Sequence, residues 1–417
     1  MLKRCNYFLL LLLFVLPSFL LAQKSDQIKT LPGIGKLNQI QYAGYAKNIY
    51  YWYIQSKENN DNTPIIIWTS GGPGTSSLYG LFKENGPYSC HLNKQNQPIF
   101  QTATDHADWS KFSNYLVFDQ PLGIGLSFTT KKNLPTSPKS GNLQYYSAVK
   151  AFFNKHPNLK SHDIYLAGES YAGTYMALLA NSILNDPANQ LKLKGIIIIS
   201  GWVAPKTQYK SMPMFAYSHG LIDFKQLKQS QALYQQCAVC NNQSTDCNQT
   251  CLKLDDYITQ SSGLNSHNIA DTNQDSNWQK GGWVNCLNSP ITRQAIHAKL
   301  KQTYQPMTNI WDLYGRLQLD SVLPIYQKLL KNKIKLLVIS GLNDGSPSGY
   351  WGTRLWLTNL GLNDKQLNQT KWYHKNKLLG YKVQLSPKLL WVKVLNAGHT
   401  VPTQQPLISE FVRDFII

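Results

Sequence analysis

The chain has 417 residues, with 41 Lys and Arg against 22 Asp and Glu, a formal charge of +19 at pH 7. Only Arg4, Arg293, Arg316, Arg354 and Arg413 offer guanidinium forks, and the lysines are scattered. That distribution argues against a nucleic-acid binder and points to solubility and attraction to acidic surfaces.

At the N-terminus, Lys3-Arg4 precedes a nearly unbroken apolar run from Tyr7 to Leu21 and then Ala22-Gln23. A short basic region, an apolar core and a small terminal residue predict a cleavable secretory signal over residues 1–22. The run is short for a bilayer span, and no later segment is apolar for long enough to anchor the chain. Removal of the signal leaves about 395 residues, enough for a large α/β domain with an insertion. Cys5 leaves with it. Cys90, Cys237, Cys240, Cys247, Cys251 and Cys286 remain, and six cysteines in an oxidising compartment predict up to three disulfides of undetermined pairing. The signal implies the secretory pathway, ending in a lysosome- or vacuole-like compartment or outside the cell.

Short continuous apolar runs then recur at Ile65–Trp68, Tyr115–Phe118, Ile164–Ala167, Ile196–Ile199, Lys335–Ile339 and Leu389–Val394. Runs of this kind fit strands buried on both faces of a mostly parallel sheet. Helical patterns lie among them at Leu143–Phe153, Tyr171–Leu184, Val322–Leu330, Tyr350–Leu360 and Pro406–Phe415. The alternation predicts an α/β fold with helices on both faces of the sheet. From about Val203 to Cys286 the rhythm breaks. The predicted layout is a core over 23–202, a cysteine-containing cap over 203–291, and the rest of the core over 292–417. The spacing Cys237-x2-Cys240-x6-Cys247-x3-Cys251 also suits zinc, but an oxidising compartment favours bridges, and no metal or other cofactor is expected. Asn242, Asn248 and Asn368 begin glycosylation sequons.

The chemistry is expected beyond the carboxyl ends of the strands. Gly168-Glu169-Ser170-Tyr171-Ala172-Gly173 follows one strand and opens a helix, the layout of a nucleophile elbow with Ala172 where the strict motif has Gly. Asp344 follows Ile339, and His399 follows Val394, each three to five residues past its strand. The order Ser, Asp, His is that of α/β-hydrolases. A serine hydroxyl needs an imidazole to accept its proton, and a carboxylate to orient that imidazole. The glycine-dense turn Ser70-Gly71-Gly72-Pro73-Gly74 leaves a fourth strand end and can present N–H groups to an oxyanion. A phosphate loop is disfavoured, because no Lys-Ser/Thr pair follows.

Taken in order, these segments resemble the serine carboxypeptidases of the α/β-hydrolase fold. Trp68 to Ser77 resembles the family's W-x-x-GGPG-x-SS, and Glu84-Asn85-Gly86-Pro87 its E-x-G-P. Phe118 to Phe128 resembles D-x-P-x-G-x-G-x-S-aromatic, while Gly168–Gly173, Ile339–Asp344 and Gly398-His399-Thr400-Val401-Pro402 resemble the three catalytic segments. The resemblance implies Ser170 as nucleophile, Asp344 and His399 as its partners, and Gly72 and Tyr171 as oxyanion N–H donors. It also implies Ser70, Gly71 and Glu169 as the site for a substrate's free carboxylate, with Glu84 hydrogen-bonded to Glu169. Two close carboxyls resist joint ionisation, so a retained proton would let Glu169 donate to that carboxylate, which implies activity at acidic pH. Ser70 stands where the family has Asn, Thr75 where Cys is common, and Leu342 where the family has an acid. The implied activity is release of C-terminal residues from peptides or proteins, with no nucleic-acid partner and with pairing into a homodimer left open. Acyl transfer on the same machinery and a non-catalytic binding protein are the alternative readings.

Overall fold

A computed structural model describes residues 26–58, 60, 62–105, 107–240, 246–272, 281–361 and 368–417. The signal segment 1–22 and Asn242 lie outside these residues.

One ten-stranded sheet organises the chain. Its strands are β1 (Gln41–Ala46), β2 (Ile49–Ile54), β3 (Ile65–Thr69), β4 (Asn114–Phe118), β5 (Asp163–Glu169), β6 (Lys192–Ile199), β7 (Lys335–Gly341), β8 (Gln369–His374), β9 (Lys377–Ser386) and β10 (Leu389–Val394). In space they run β8-β9-β10-β7-β6-β5-β3-β4-β2-β1. The inner strands β4, β3, β5, β6, β7 and β10 pair in parallel. Antiparallel pairs close both edges. All six apolar runs of the sequence fall on these inner strands.

Alternate residues of each inner strand feed opposite faces, because successive side chains in a strand point to opposite sides. Ile65, Ile67, Leu116, Phe118, Ile164, Leu166, Ile196 and Ile198 join one core. It is covered by helices α2 (Pro138–Lys155), α3 (Ala172–Asn185), α6 (Leu323–Lys331) and α7 (Tyr350–Thr358). Ile66, Trp68, Tyr115, Val117, Ile197 and Ile199 join the other, beneath α1 (Leu78–Lys83) and α8 (Ser409–Ile416). Each fully buried Ile or Val adds about 1.5–3 kcal/mol of gross stabilisation, so the sheet makes a rigid base for the loops at its carboxyl edge.

Between β6 and β7 lie mainly helices, among them α4 (Phe224–Val239) and α5 (Asp246–Ser262). Asp223 and Gln226 form a reciprocal capping box that starts α4, satisfying two orphan N–H groups. The cysteines pair as Cys90–Cys286, Cys237–Cys251 and Cys240–Cys247. The bridges use the four thiols that zinc would have needed. Cys237–Cys251 ties α4 to α5, Cys240–Cys247 ties the residue just after α4 to α5, and the third links the helix Gly282–Asn288 to the strand Tyr88–Leu92. No helix among the described residues is long and apolar enough to cross a membrane. Asn368 is exposed.

Candidate active site

Strand β5 delivers Glu169 and Ser170 to the sheet's edge and must then turn sharply into α3. Ser170 makes that turn at φ +61°, a left-handed conformation that L residues rarely adopt. The strain is held by hydrogen bonds from Ser170 N to Ile199 O (2.9 Å) and from Trp202 N to Ser170 O (2.8 Å). Gly168 is needed because a Cβ there would lie 2.4 Å from the Ala172 Cβ. The Ala at the motif's last place is thus packed onto the Gly at its first.

The glycine turn after β3 lies against this elbow. A Cβ on Gly71 would sit 2.6 Å from both Glu169 O and Tyr171 N, so only glycine allows the approach. Gly72 takes φ +108°. Among the described residues, neither Gly72 N–H nor Tyr171 N–H donates to a backbone carbonyl. Both are therefore spare donors, and Tyr171 lies at the N-terminus of α3, where the helix dipole favours negative charge. The turn is braced from below. Ser76 Oγ donates to Asp119 Oδ1 (2.6 Å), Leu126 N donates to Asp119 Oδ2 (2.8 Å), and Tyr304 Oη donates to Ser76 Oγ (3.0 Å). A Cβ at Gly125 would strike the Asp119 carboxylate at 2.2 Å, so the second glycine-rich segment serves to hold the first.

After β7, Asp344 is buried and accepts from Ser346 N (3.0 Å). After β10, His399 Nδ1 meets Asp344 Oδ2 at 2.9 Å. Burial alone would raise the Asp344 pKa, but the adjacent His399 charge and hydrogen bond, aided by His267 and the Ser346 side chain, bring it below its ordinary value. The bond to Nδ1 leaves His399 Nε2 for the cavity side. Ser170 and His399 line one cavity of ≈ 710 Å³. They share it without a hydrogen bond between them among the described residues, as in many unliganded sites whose catalytic bonds tighten on substrate binding.

Ser70, Gly71, Gly72 and Glu169 line the same cavity. Ser70 Oγ, Glu169 Oε2 and both carboxylate oxygens of Glu84 are buried without a hydrogen-bond partner. Burial, then the Glu84 charge and Asp344, push Glu169 well above the ordinary range for a glutamate. Burial raises Glu84 to about 8. The two carboxyls act on each other in a buried place where protons are retained, but no hydrogen bond joins them, contrary to the bond that the resemblance implied, because both Glu84 oxygens are left without a partner. Tyr79, on α1 at the cavity wall, feels both of them.

Of the residues expected at the site, Ser70, Gly71, Gly72, Glu169, Ser170 and His399 line the cavity, with Tyr171 next to Ser170, Asp344 bonded to His399 and Glu84 acting on Glu169 from outside the lining. The sequence reading missed the opposite wall. Thr259, Asn265, Ser266, His267, Asn268 and Asp271 come from the segment between β6 and β7. Nothing in their spacing marks them: Thr259 lies in the last turn of an amphipathic helix, and residues 265–271 are polar and without period.

The family model described as "Serine carboxypeptidase" matches residues 32–416. The chain belongs to the serine carboxypeptidase family. It is accordingly a serine-type carboxypeptidase on the α/β-hydrolase fold. It is 28% identical to serine carboxypeptidase-like 34 of Arabidopsis thaliana, over 93% of this chain and 87% of that protein. It is also 28% identical to the pheromone-processing carboxypeptidase KEX1 of Phytophthora infestans, over 94% and 71% respectively. The crystal structure of Kex1(delta)p, a prohormone-processing carboxypeptidase from Saccharomyces cerevisiae, superposes with a TM-score of 0.81 at 21% identity, covering 94% of this chain and 96% of that one, and shares its fold.

Proposed function

We propose that this carboxypeptidase releases C-terminal residues through an acyl-enzyme formed on Ser170, with His399 as base and Asp344 as the orienting acid. Ser170 Oγ attacks the scissile carbonyl and its proton passes to His399. Negative charge on the carbonyl oxygen is met by the Gly72 and Tyr171 N–H groups, each such donor being worth about 3 kcal/mol. The C–N bond breaks as His399 protonates the leaving amine, and the freed residue departs. Water then attacks the ester, giving its proton to His399, and the Ser170 hydroxyl is restored.

The observation that carries the exopeptidase reading is the buried, proton-retaining Glu169–Glu84 pair at one wall of the cavity. A neutral carboxyl there can donate to a terminal carboxylate that an ionised one would repel. Ser70 Oγ, buried and unpartnered, adds a second donor in place of the family's Asn amide. Gly71 supplies close backbone. Because binding uses the protonated pair, we expect activity on the acid side of the pH range. That suits a lytic compartment of the secretory route, and one relative is named lysosomal protective protein, from Mus musculus. In this reading residues 203–291 are the cap that encloses substrate over a core formed by 23–202 and 292–417.

Purified protein should cleave N-blocked dipeptides with a free C-terminus, and Ser170→Ala should reduce kcat by at least about 10⁴-fold. Turnover that survives this change refutes the nucleophile assignment. Faster transfer from acyl esters to non-water acceptors than hydrolysis of dipeptides would instead make the protein an acyltransferase.

A further inference from the structure

The triad reading leaves a second imidazole in the cavity unexplained. His267 sits edge-on to His399, with ring centroids 4.6 Å apart and planes at 84°. Its own segment is fastened to both catalytic loops. His399 N donates to His267 O (2.7 Å), Gly345 N to Ser266 O (2.8 Å), and Ile269 N to Asn343 O (3.0 Å). The packing is close enough that a Cβ on Gly398 would meet His267 O at 2.4 Å. Residues 266–269 therefore clamp the loops that carry Asp344 and His399 to each other, and His267 is the residue whose ring touches the base.

We propose that His267 is a positioning residue for His399, its neutral ring holding the catalytic imidazole in the orientation that bonds Asp344 and faces Ser170. The imidazole of a triad must keep one edge on its carboxylate while the other exchanges protons, and small misplacements are costly. Asp344 fixes one ring edge of His399, and His267 supplies a wall that restricts rotation about the remaining degree of freedom. The wall works only while uncharged, because an imidazolium beside His399 would oppose the positive charge that His399 acquires in each proton transfer. The surroundings keep it so. Desolvation on the side packed against His399, and then the His399 charge, lower its pKa, although the residue as a whole is exposed to the cavity. The ionisable groups around it are His399 and Asp344 on the two loops, Asp255 of α5 (hydrogen-bonded to the neighbouring Ser266), Asp271 on its own segment and Glu169 across the cavity.

This inference rests on the Ser170–His399–Asp344 reading, and the test separates the two. Wild type, His267→Ala and His267→Phe are compared with a blocked dipeptide across pH, with active sites counted by a fluorophosphonate that labels Ser170. His267→Ala should lower kcat about tenfold while KM stays within about twofold and labelling stays complete. His267→Phe, which restores an uncharged ring, should recover most of that loss. The acid limb of its pH profile should also lie at lower pH than that of the wild type, which gains a second cation beside His399 as His267 takes up its proton. A kcat for His267→Ala equal to wild type, or a Phe variant no better than Ala, overturns the proposal. If the Ala variant does not fold, the acid limb of His267→Phe decides, and a limb identical to wild type overturns it. Absence of Ser170 labelling in the wild type would sink the triad reading instead.

Discussion

Glu84→Gln separates the proton-retaining carboxyl pair from a merely structural buried acid. Glu84 is 1% exposed, and burial raises it from an ordinary 4.5 to about 8. Between those two values the unfolded chain has ionised Glu84 and the folded chain has not. The fold thus loses stability as pH climbs through that window. A displacement of 3.5 units corresponds to roughly 4–5 kcal/mol at the alkaline end. Glu169 stays buried in the variant and keeps part of the penalty, so about half of this should be recovered. With ~0.8 kcal/mol/K of unfolding entropy for a chain of this size, Tm at pH 8.5 should rise by about 3 °C and at pH 4.5 should hardly change. Catalysis should move the other way. Without the like charge of Glu84, Glu169 ionises at lower pH, and KM for a substrate with a free C-terminus should begin its alkaline rise sooner. An ester or amide substrate lacking that carboxylate should not show the shift. Differential scanning at two pH values and KM–pH profiles on paired substrates are the assays. Superimposable wild-type and variant curves in both would refute the argument that the two carboxyls act on each other.

Two more perturbations follow from contacts at and away from the site. Gly71→Ala places a Cβ 2.6 Å from the elbow backbone and should cut kcat by roughly 10²–10³-fold through displacement of the proposed oxyanion donors; full activity, measured with the active-site count, would mean that the turn can give way. His156 is buried against Tyr42, Tyr51 and Phe152 with both ring nitrogens unpartnered, and burial followed by the Lys155 charge pushes it down to about 4. Below pH 6.5 the unfolded chain takes up a proton that the folded one refuses, so stability should fall by up to about 3 kcal/mol toward pH 4. His156→Leu should flatten that part of the stability–pH curve, and an unchanged slope in denaturant titrations would refute the assignment.

How much of this was readable in advance depended on whether a residue's environment repeats. The inner strands are buried on both faces, so Ile196–Ile199 or Lys335–Ile339 reads as an unbroken apolar run whatever its neighbours are. The outer strands differ. β9 alternates between core and solvent and includes Lys382 and Gln384, while β1 hides Gln41, so neither presents a continuous run. The hairpin joining β1 and β2 turns on Lys47 and Asn48, both at positive φ, without the glycine that would have flagged it.

The same distinction runs through the site. Ser170, Asp344 and His399 each follow a recognisable strand, so chain order and strand ends were enough to bring them to one edge. The wall bearing His267 follows no strand. Its place is set by backbone hydrogen bonds from Gly345 and His399 to carbonyls of a polar stretch, and carbonyls are the same in every sequence. What a sequence can declare is a side chain that only one environment tolerates, such as Gly71 under the elbow or Gly125 against Asp119. A residue held by its neighbours' main chain leaves no such mark. The parts of an active site that adjust the base, as opposed to supplying it, are therefore the parts most dependent on coordinates. His267→Phe is the sharpest probe of that difference, since it retains the wall and removes its capacity to take a proton.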